Sequence, residues 1–315
     1  LTVPLHSSVS GTVTAVEPRL HPSGAMVTAI IVENDGKYLV SDDVCPKNPD
    51  KMNAKEIIGV IRNAGIVGMG GAGFPTHAKL TVPDGKAVTH LIVNAAECEP
   101  YITSDHRRLL EEPEKVIGGL KICMKIFGLE KAYIAIEANK ADAIELLKQK
   151  TAASGIEVVA LKTKYPQGSE KHIIKAVSGK SVPSGGLPID VGAIVINVDT
   201  AHAINEAFVT GMPVISRIIT VAGDAAAKPC NLEVRIGTPF SFVTDAAGGF
   251  SKPPKKIIMG GPMMGFSMFS LDVPVTKTSS SILCFTKDEV AQYEPTACIN
   301  CGRCKTICEN IVGIK

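Results

Sequence analysis

Apolar and polar residues alternate over residues 9–44, as in Val9-Ser-Gly-Thr-Val13-Thr-Ala15-Val16 and Ala29-Ile-Ile-Val-Glu-Asn34. A period of two broken by turn residues predicts a small all-β module. Asn34-Asp-Gly36 tolerates positive φ and is expected to be its hairpin turn. From Pro46 the period lengthens. Asn53-Ala-Lys-Glu56 reads as a capping box, and Ile57, Ile58, Val60 and Ile61 follow at helical spacing up to Gly65. A glycine-rich loop then leads into the apolar run Thr89-His-Leu-Ile-Val-Asn94, which has strand length. Further helices are expected over 114–129, 140–154, 168–178 and 201–211, alternating with strands over 132–137, 156–163 and 193–198. That alternation predicts a largely parallel sheet with both faces covered. After Pro213 strands return at 217–222, 232–236 and 256–259, with a short helix at 240–247.

The pattern therefore divides the chain into a β module (1–45), an α/β domain (46–212), a second β-rich domain (213–270) and a final segment (271–315). Composition changes this picture in three places. No run of roughly 18 uncharged apolar residues occurs, so a membrane-spanning role is not expected. With 33 Lys+Arg against 31 Asp+Glu, aromatics at 4% and no Trp, neither a polyanion-steering field nor stacking platforms for nucleic acid are expected. Cysteine is the third: nine residues, four of them within 298–308, do not resemble a paired disulfide framework. With no secretory leader before Leu1 and no initiating Met, the chain reads as a reduced, cytoplasmic protein and as an excised piece of a longer one.

The cluster Cys298-Ile-Asn-Cys301-Gly-Arg-Cys304-Lys-Thr-Ile-Cys308 has the spacing C-x2-C-x2-C-x3-C. Three thiolates three residues apart can wrap one iron–sulfur cubane, and the fourth cysteine of such a run serves a second cluster. Zinc knuckles instead separate their C-x2-C pairs by a longer loop. Glu309 stands where such runs usually carry Pro, and only one run is present before Lys315. The segment as given is expected to hold no intact [4Fe–4S] centre.

Gly68-Met-Gly70-Gly71-Ala-Gly73 matches G-x-G-x-x-G, but it follows a helix and meets Pro75 at once, which disfavours a dinucleotide fingerprint. Such a loop still lets backbone N–H groups approach a phosphate or a flat ring, with Lys79 near enough to add a cation. The strand ending at Asn94 runs into Ala95-Ala-Glu97-Cys98-Glu99-Pro100, and ligands bind α/β sheets at such carboxyl ends. Glu97 and Glu99 point to one side if the chain stays extended. They can equally be solvated loop acids or partners of Arg107 or Arg108, and Cys98 can be a packed small residue. Met263-Met264 reads as packing.

These motifs, in this order, resemble a known family. Gly68-Met-Gly-Gly-Ala-Gly-Phe-Pro-Thr-His-Ala-Lys79 followed by Asn94-Ala-Ala-Glu-Cys-Glu-Pro100 resembles the flavin-binding core of the NADH-oxidising flavoprotein subunit of respiratory complex I, and more closely the RnfC component of the Rnf complexes. His6-Ser-Ser-Val-Ser-Gly11 is similar to that family's N-terminal barrel-sandwich module. Residues 220–265, from Thr220-Val-Ala-Gly-Asp224 to Gly260-Gly-Pro-Met-Met-Gly265, are similar to its β-grasp (SLBB) domain. The implied fold is a multi-module α/β chain: a barrel-sandwich part, a Rossmann-like flavin domain with a largely parallel sheet, the β-grasp domain and a truncated ferredoxin-like tail. By this resemblance FMN contacts Gly68, Gly70, Gly71, Lys79, Asn94, Glu97, Cys98, Tyr165, Gly168, Glu170, Asn197 and Thr200. Phe74 by stacking and Glu99 by hydrogen bonding hold NAD(H), and Cys298, Cys301, Cys304 and Cys308 ligate [4Fe–4S] clusters. Met69 stands where the complex I protein has Arg, and Ala96 where it has Asp, removing a phosphate-facing cation and a polar ring contact.

The resemblance implies hydride exchange between NAD(H) and flavin and single-electron exchange with iron–sulfur clusters, with no side-chain acid, base or nucleophile required. It implies a peripheral subunit at the cytoplasmic face of the cell membrane, docked on other Rnf subunits and receiving ferredoxin-derived electrons through an iron–sulfur partner. Two other readings stay open at this point. One is an electron-transfer adaptor of a reductase system without NADH oxidation. The other is a non-catalytic scaffold module.

Overall fold

The computed structural model describes residues 2–287 and 296–302. The chain opens with strands β1 (Gly11–Leu20) and β2 (Met26–Asn34), an antiparallel pair with a bulge between Val13 and Ala15. Its hairpin turn is at residues 21–25, where the His21 N–H donates to Ala25 O at 2.8 Å. The expectation of a hairpin turn at Asn34-Asp-Gly36 is thus corrected. Asn34 lies opposite Gly11 at the open end of the ladder, and its side chain accepts from the Gly36 N–H at 2.9 Å. The same φ-tolerant residues serve an Asx turn that leads out of the sheet.

Helix α1 (Ala54–Asn63) starts with the expected capping box: the Glu56 N–H donates to Asn53 Oδ1 at 3.0 Å, and the Asn53 N–H to Glu56 Oε2 at 2.8 Å. The short α2 (Thr76–Leu80), β3 (His90–Ala95), α3 (Ser104–Glu111), α4 (Pro113–Phe127) and β4 (Ala132–Glu137) come next. They are followed by α5 (Ala141–Thr151), β5 (Ile156–Leu161), α6 (Glu170–Ser178), β6 (Ala193–Asn197) and α7 (Val198–Val209). Strands pair in the order β5-β4-β3-β6, all parallel.

Period-two alternation explains how the sheet is covered. Leu91, Val93, Ile134, Ile136, Ile194 and Ile196 join one core with α1, α4 and α7, while Ile92, Ala135 and Val195 join another with Ile173 and Ile174 of α6. Both faces of the inner strands are apolar, so β3, β4 and β6 read largely as hydrophobic runs, while the edge strand β5 carries the exposed Glu157. The chain moves outward from β3 through β4 to β5 and then returns to β6 on the other side of β3. The switch point therefore lies between the carboxyl ends of β3 and β6, where Asn94 and Asn197 are register partners.

The second unit contains β7 (Ser216–Ala222), β8 (Cys230–Arg235), α8 (Phe240–Ala246), β9 (Lys256–Met259), β10 (Phe266–Met268) and β11 (Ser281–Phe285). Its strand order is β10-β9-β11-β7-β8, with β11 parallel to β7 and antiparallel to β9. Phe240 and Val243 of α8 pack on Ile219, Val221 and Ile282. Helices α2 and α3 and strands β10 and β11 have no counterpart in the elements expected from the sequence pattern. Strand β11 is short, follows a Ser/Thr stretch and has no pairing signal of its own, yet it is wholly buried from Ser281 to Cys284. Among the described residues, no helix is long and apolar enough to cross a membrane.

Candidate functional site

The glycine loop is a closed hairpin rather than a strand-to-helix turn. Val67 and Pro75 form an isolated bridge, the Gly68 N–H donates to Phe74 O at 2.8 Å, and the Gly73 N–H to Gly68 O at 3.1 Å. Thr200, at the start of α7 and 1% exposed, holds the loop from below. Its hydroxyl donates to Val67 O at 3.1 Å and accepts from the Met69 N–H at 3.0 Å. Among the described residues, the N–H groups of Gly70, Gly71 and Ala72 find no protein acceptor. Gly70 lies over Asn197, where an added Cβ would sit 3.5 Å from the Asn197 Cβ. The loop tip thus stands above the switch point with three free donors.

The two switch-point asparagines are pinned by their neighbours. Asn94 donates through Nδ2 to Gly168 O at 2.8 Å and accepts from the Ala96 N–H at 3.0 Å. Asn197 caps α7 by accepting from the Asp199 N–H at 2.9 Å and donates to Asp105 Oδ2 at 2.8 Å. Gly168 is required by close approach, since a Cβ there would lie 2.6 Å from Ala96 O. Its N–H donates to Cys98 Sγ at 3.2 Å, and burial pushes the Cys98 thiol up, so it stays protonated near neutrality. Lys79 forms an ion pair with Glu170 and donates to Val195 O at 3.0 Å, which sets its cation against an anion at the β6 side of the site. Phe74 and Tyr165 are 44% and 38% exposed.

Glu97 and Glu99, two residues apart, diverge. Glu97 turns to the amino end of α3, accepting from the Asp105 N–H at 2.8 Å and the His106 N–H at 3.3 Å. Burial raises its pKa against these bonds and the Lys140 ammonium. Glu99 instead reaches the second unit, where its Oε2 accepts from the Met263 N–H at 3.0 Å, while its Oε1 is buried without a partner among the described residues. Neither arginine pairs with these acids: Arg107 bonds Glu111, and Arg108 bonds Glu112 and Asp199. Met263 and Met264, read from the sequence as packing, are 54% and 74% exposed.

Beneath the loop lies a charge cluster that the motif reading missed. Arg217 of β7, 3% exposed, donates to Met69 O at 3.2 Å and to Lys277 O at 2.6 Å and pairs with Asp199 at 3.5 Å. Burial lowers its pKa, but a guanidinium remains charged in any protein interior. Asp105 is raised well above the ordinary carboxylate range by burial and then by the charges of Glu97 and Asp199. A charged residue opening the apolar strand Arg217-Ile-Ile-Thr-Val was a visible signal. A cleft of about 470 Å³ opens nearby, where Lys115 pairs with Glu112 and Glu206, His202 lies 3.0 Å from Glu112, and Arg235 donates to Ser8 O.

Of the cysteine run, Cys298 and Cys301 are exposed free thiols, and Cys298 Sγ accepts from the Asn300 N–H at 3.4 Å. Cys304 and Cys308 lie outside the described residues.

A loop of free amides over the switch point of a parallel sheet, braced by a second β domain, is where α/β proteins commonly bind nucleotide- or flavin-type ligands. Comparison with known proteins sharpens that class. Family models match the Nuo51 FMN-binding domain over residues 61–206, the SLBB domain over 218–267 and the RnfC barrel sandwich hybrid domain over 1–37. The chain is 48% identical over 310 residues to the C subunit of the Na(+)-translocating ferredoxin:NAD(+) oxidoreductase complex of Acetobacterium woodii, covering 98% of this chain and 70% of that protein. It is also 48% identical over 305 residues to the C subunit of the proton-translocating ferredoxin:NAD(+) oxidoreductase complex of Clostridium ljungdahlii, covering 96% and 67%. For the C subunit of the ion-translocating oxidoreductase complex of Rhodobacter capsulatus the identity is 38%, covering 98% and 60%. The fold is also similar to an NAD+-reducing [NiFe]-hydrogenase in its air-oxidized state, with a TM-score of 0.63 at 20% identity over 79% of this chain and 52% of that one. The chain belongs to the family of C subunits of ion-translocating ferredoxin:NAD+ oxidoreductase complexes.

Proposed function

We propose that this chain binds FMN against its glycine loop and exchanges hydride between NAD(H) and that flavin, as the peripheral electron-input and electron-output subunit of an ion-translocating ferredoxin:NAD+ oxidoreductase complex. The observation that carries the reading is the set of three unpartnered amides, Gly70, Gly71 and Ala72, above the Asn94–Asn197 pair. These donors and the side-chain-free loop fit the anionic and planar parts of a flavin mononucleotide. Bound flavin supplies the conversion between two-electron and one-electron transfer.

The chain's own residues position and insulate. Thr200 and Arg217 fix the loop backbone from below. Asn94 and Asn197 present side chains whose orientation is already set by Gly168, Ala96, Asp199 and Asp105. Gly168 lets its segment approach Ala96 and Cys98 closely, and the Lys79–Glu170 pair borders the site without adding net charge. Phe74 and Tyr165 offer exposed aromatic faces to a second ring, and Glu99 offers a free carboxylate oxygen to a nucleotide hydroxyl. Gly68 and Glu97 shape this frame: Gly68 closes the hairpin and Glu97 anchors α3.

The run Cys298, Cys301, Cys304 and Cys308 would ligate [4Fe–4S] iron, and the exposed free thiols of Cys298 and Cys301 are in keeping with that role. A peripheral place at the cytoplasmic face, on other subunits that carry the ion path and an iron–sulfur donor linked to ferredoxin, agrees with the lack of a spanning helix among the described residues.

Titration with FMN under anaerobic conditions tests the reading. One flavin per chain is expected, bleached on addition of NADH. A protein that is isolated without flavin and refuses added FMN overturns the site. Bound FMN that NADH never reduces favours the adaptor reading instead.

A further inference from the structure

The turn at residues 260–265 belongs to the second unit, yet it touches the residue assigned to the nucleotide. We propose that this turn is a wall of the dinucleotide site, with Gly261 and Met263 as positioning residues that hold Glu99 and leave one of its oxygens for a ribose hydroxyl. The inference rests on the NAD(H) reading above.

Three observations carry it. The Met263 N–H donates to Glu99 Oε2 at 3.0 Å, which fixes the carboxylate across the gap between the two units. The other oxygen, Oε1, is buried with no protein donor among the described residues. A buried acceptor left unpaired is costly, and a ligand hydroxyl would satisfy it. Gly261 is the seat itself: a Cβ there would fall 2.0 Å from Glu99 Oε2 and 2.1 Å from its Cδ. Gly261 is absent from the positions with positive φ, and the three atoms nearest to an added Cβ all belong to the Glu99 side chain, so contact with that side chain rather than backbone strain disfavours a larger residue there.

The rest of the turn serves the same end. The Gly265 N–H closes it onto Gly261 O at 2.8 Å. Met263, whose backbone N–H holds the carboxylate, and its neighbour Met264 are 54% and 74% exposed. Flexible, polarizable thioethers suit the face of a flat heteroaromatic ring. From the flavin domain, the exposed Tyr165 has its phenol raised by burial and then by the charge of the same acid. The nucleotide would thus meet one unit through Phe74 and Tyr165 and the other through the methionine turn.

Equilibrium binding of NAD+ to the FMN-loaded protein tests this without hydride chemistry. Gly261→Ala and Glu99→Ala are each expected to weaken NAD+ binding by about ten- to a hundredfold, the size of one lost hydrogen bond to a charged group, with FMN affinity unchanged. The double variant should bind no worse than the weaker single one, because Gly261 acts through Glu99. Wild-type affinity in Gly261→Ala, or losses that add in the double variant, overturns the wall. A second measurement needs no variant: NAD+ should slow peroxide oxidation of Met263 and Met264 by about threefold relative to FMN alone, and unchanged rates overturn the proposal. No NAD+ binding by the wild-type protein overturns the NAD(H) reading and the wall with it, whereas binding retained by Gly261→Ala overturns the wall alone.

Discussion

Thr200 shows how one hydroxyl can set the shape of a ligand loop. It satisfies a carbonyl and an amide of the same hairpin while fully enclosed. Replacing it by Val keeps the volume but strands both groups in an apolar setting, which costs roughly 1–3 kcal/mol. Thr200→Val is therefore expected to lower thermal stability modestly and FMN affinity more clearly, as measured by melting with and without flavin. A loss of stability with unchanged FMN affinity would show that the loop does not depend on this anchor. At this scale the sequence was informative where a residue type is scarce in function, as with the glycines and Asn94. It misplaced Glu97 and Glu99, expected on one side of an extended chain, because their opposite directions depend on α3 and on the 260–265 turn, which are distant in the chain or unpatterned.

Helices α4 and α7 cross with almost no gap. A Cβ on Gly118 would meet Asn205 Oδ1 at 2.1 Å, and one on Gly119 would meet Ala201 O at 1.8 Å. Helix propensity alone favours Ala over Gly by about 1 kcal/mol. Overpacking against backbone, which cannot move aside as a side chain can, costs about 1–3 kcal/mol or more. The second effect is expected to win, so Gly119→Ala should lower the midpoint of urea unfolding, and a raised midpoint would refute the contact. Because α7 carries Asn197 and Thr200 at its start, this packing also fixes the height of the site. The capping box of α1 and the apolar runs of β3, β4 and β6 were legible because both are local signals. Helix α3 was not: its core consists only of Leu109 with Ser104 and Arg108, and its start is capped by a residue seven positions upstream.

Across the whole molecule, buried cations join the modules. Lys277, 7% exposed, donates to Pro4 O at 2.8 Å and to Gly65 O at 2.5 Å, tying the amino-terminal segment to the end of α1. Burial lowers its pKa to about 8 from an unfolded value of 10.5. Between those values the unfolded chain binds the proton more than the native one, so this residue's contribution to stability rises with pH. The stability of wild type relative to Lys277→Met should accordingly improve from pH 8 to about 10.5, read from paired denaturant titrations, and a flat difference would refute the shift. Arg217 makes the second link, carrying a charge from β7 to the carbonyl of Met69 in the glycine loop.

What the sequence determined by itself is what depends on near neighbours or on the chemistry of residue types. It specified the alternation that builds a parallel sheet, the cap of α1, the glycine loop with its unusual place after a helix, and the spacing of the cysteine run. The order of motifs was specific enough to point to the family. Tertiary structure decided the rest. It made Asn94 and Asn197 register partners, sent Glu97 and Glu99 apart, drew Arg217 under the loop and inserted β11 into the middle of a sheet. Each of these joins residues far apart in the chain, where the energy comes from burial and desolvation shared between modules. No local period records such a contact, because the partner that satisfies each group lies on another element.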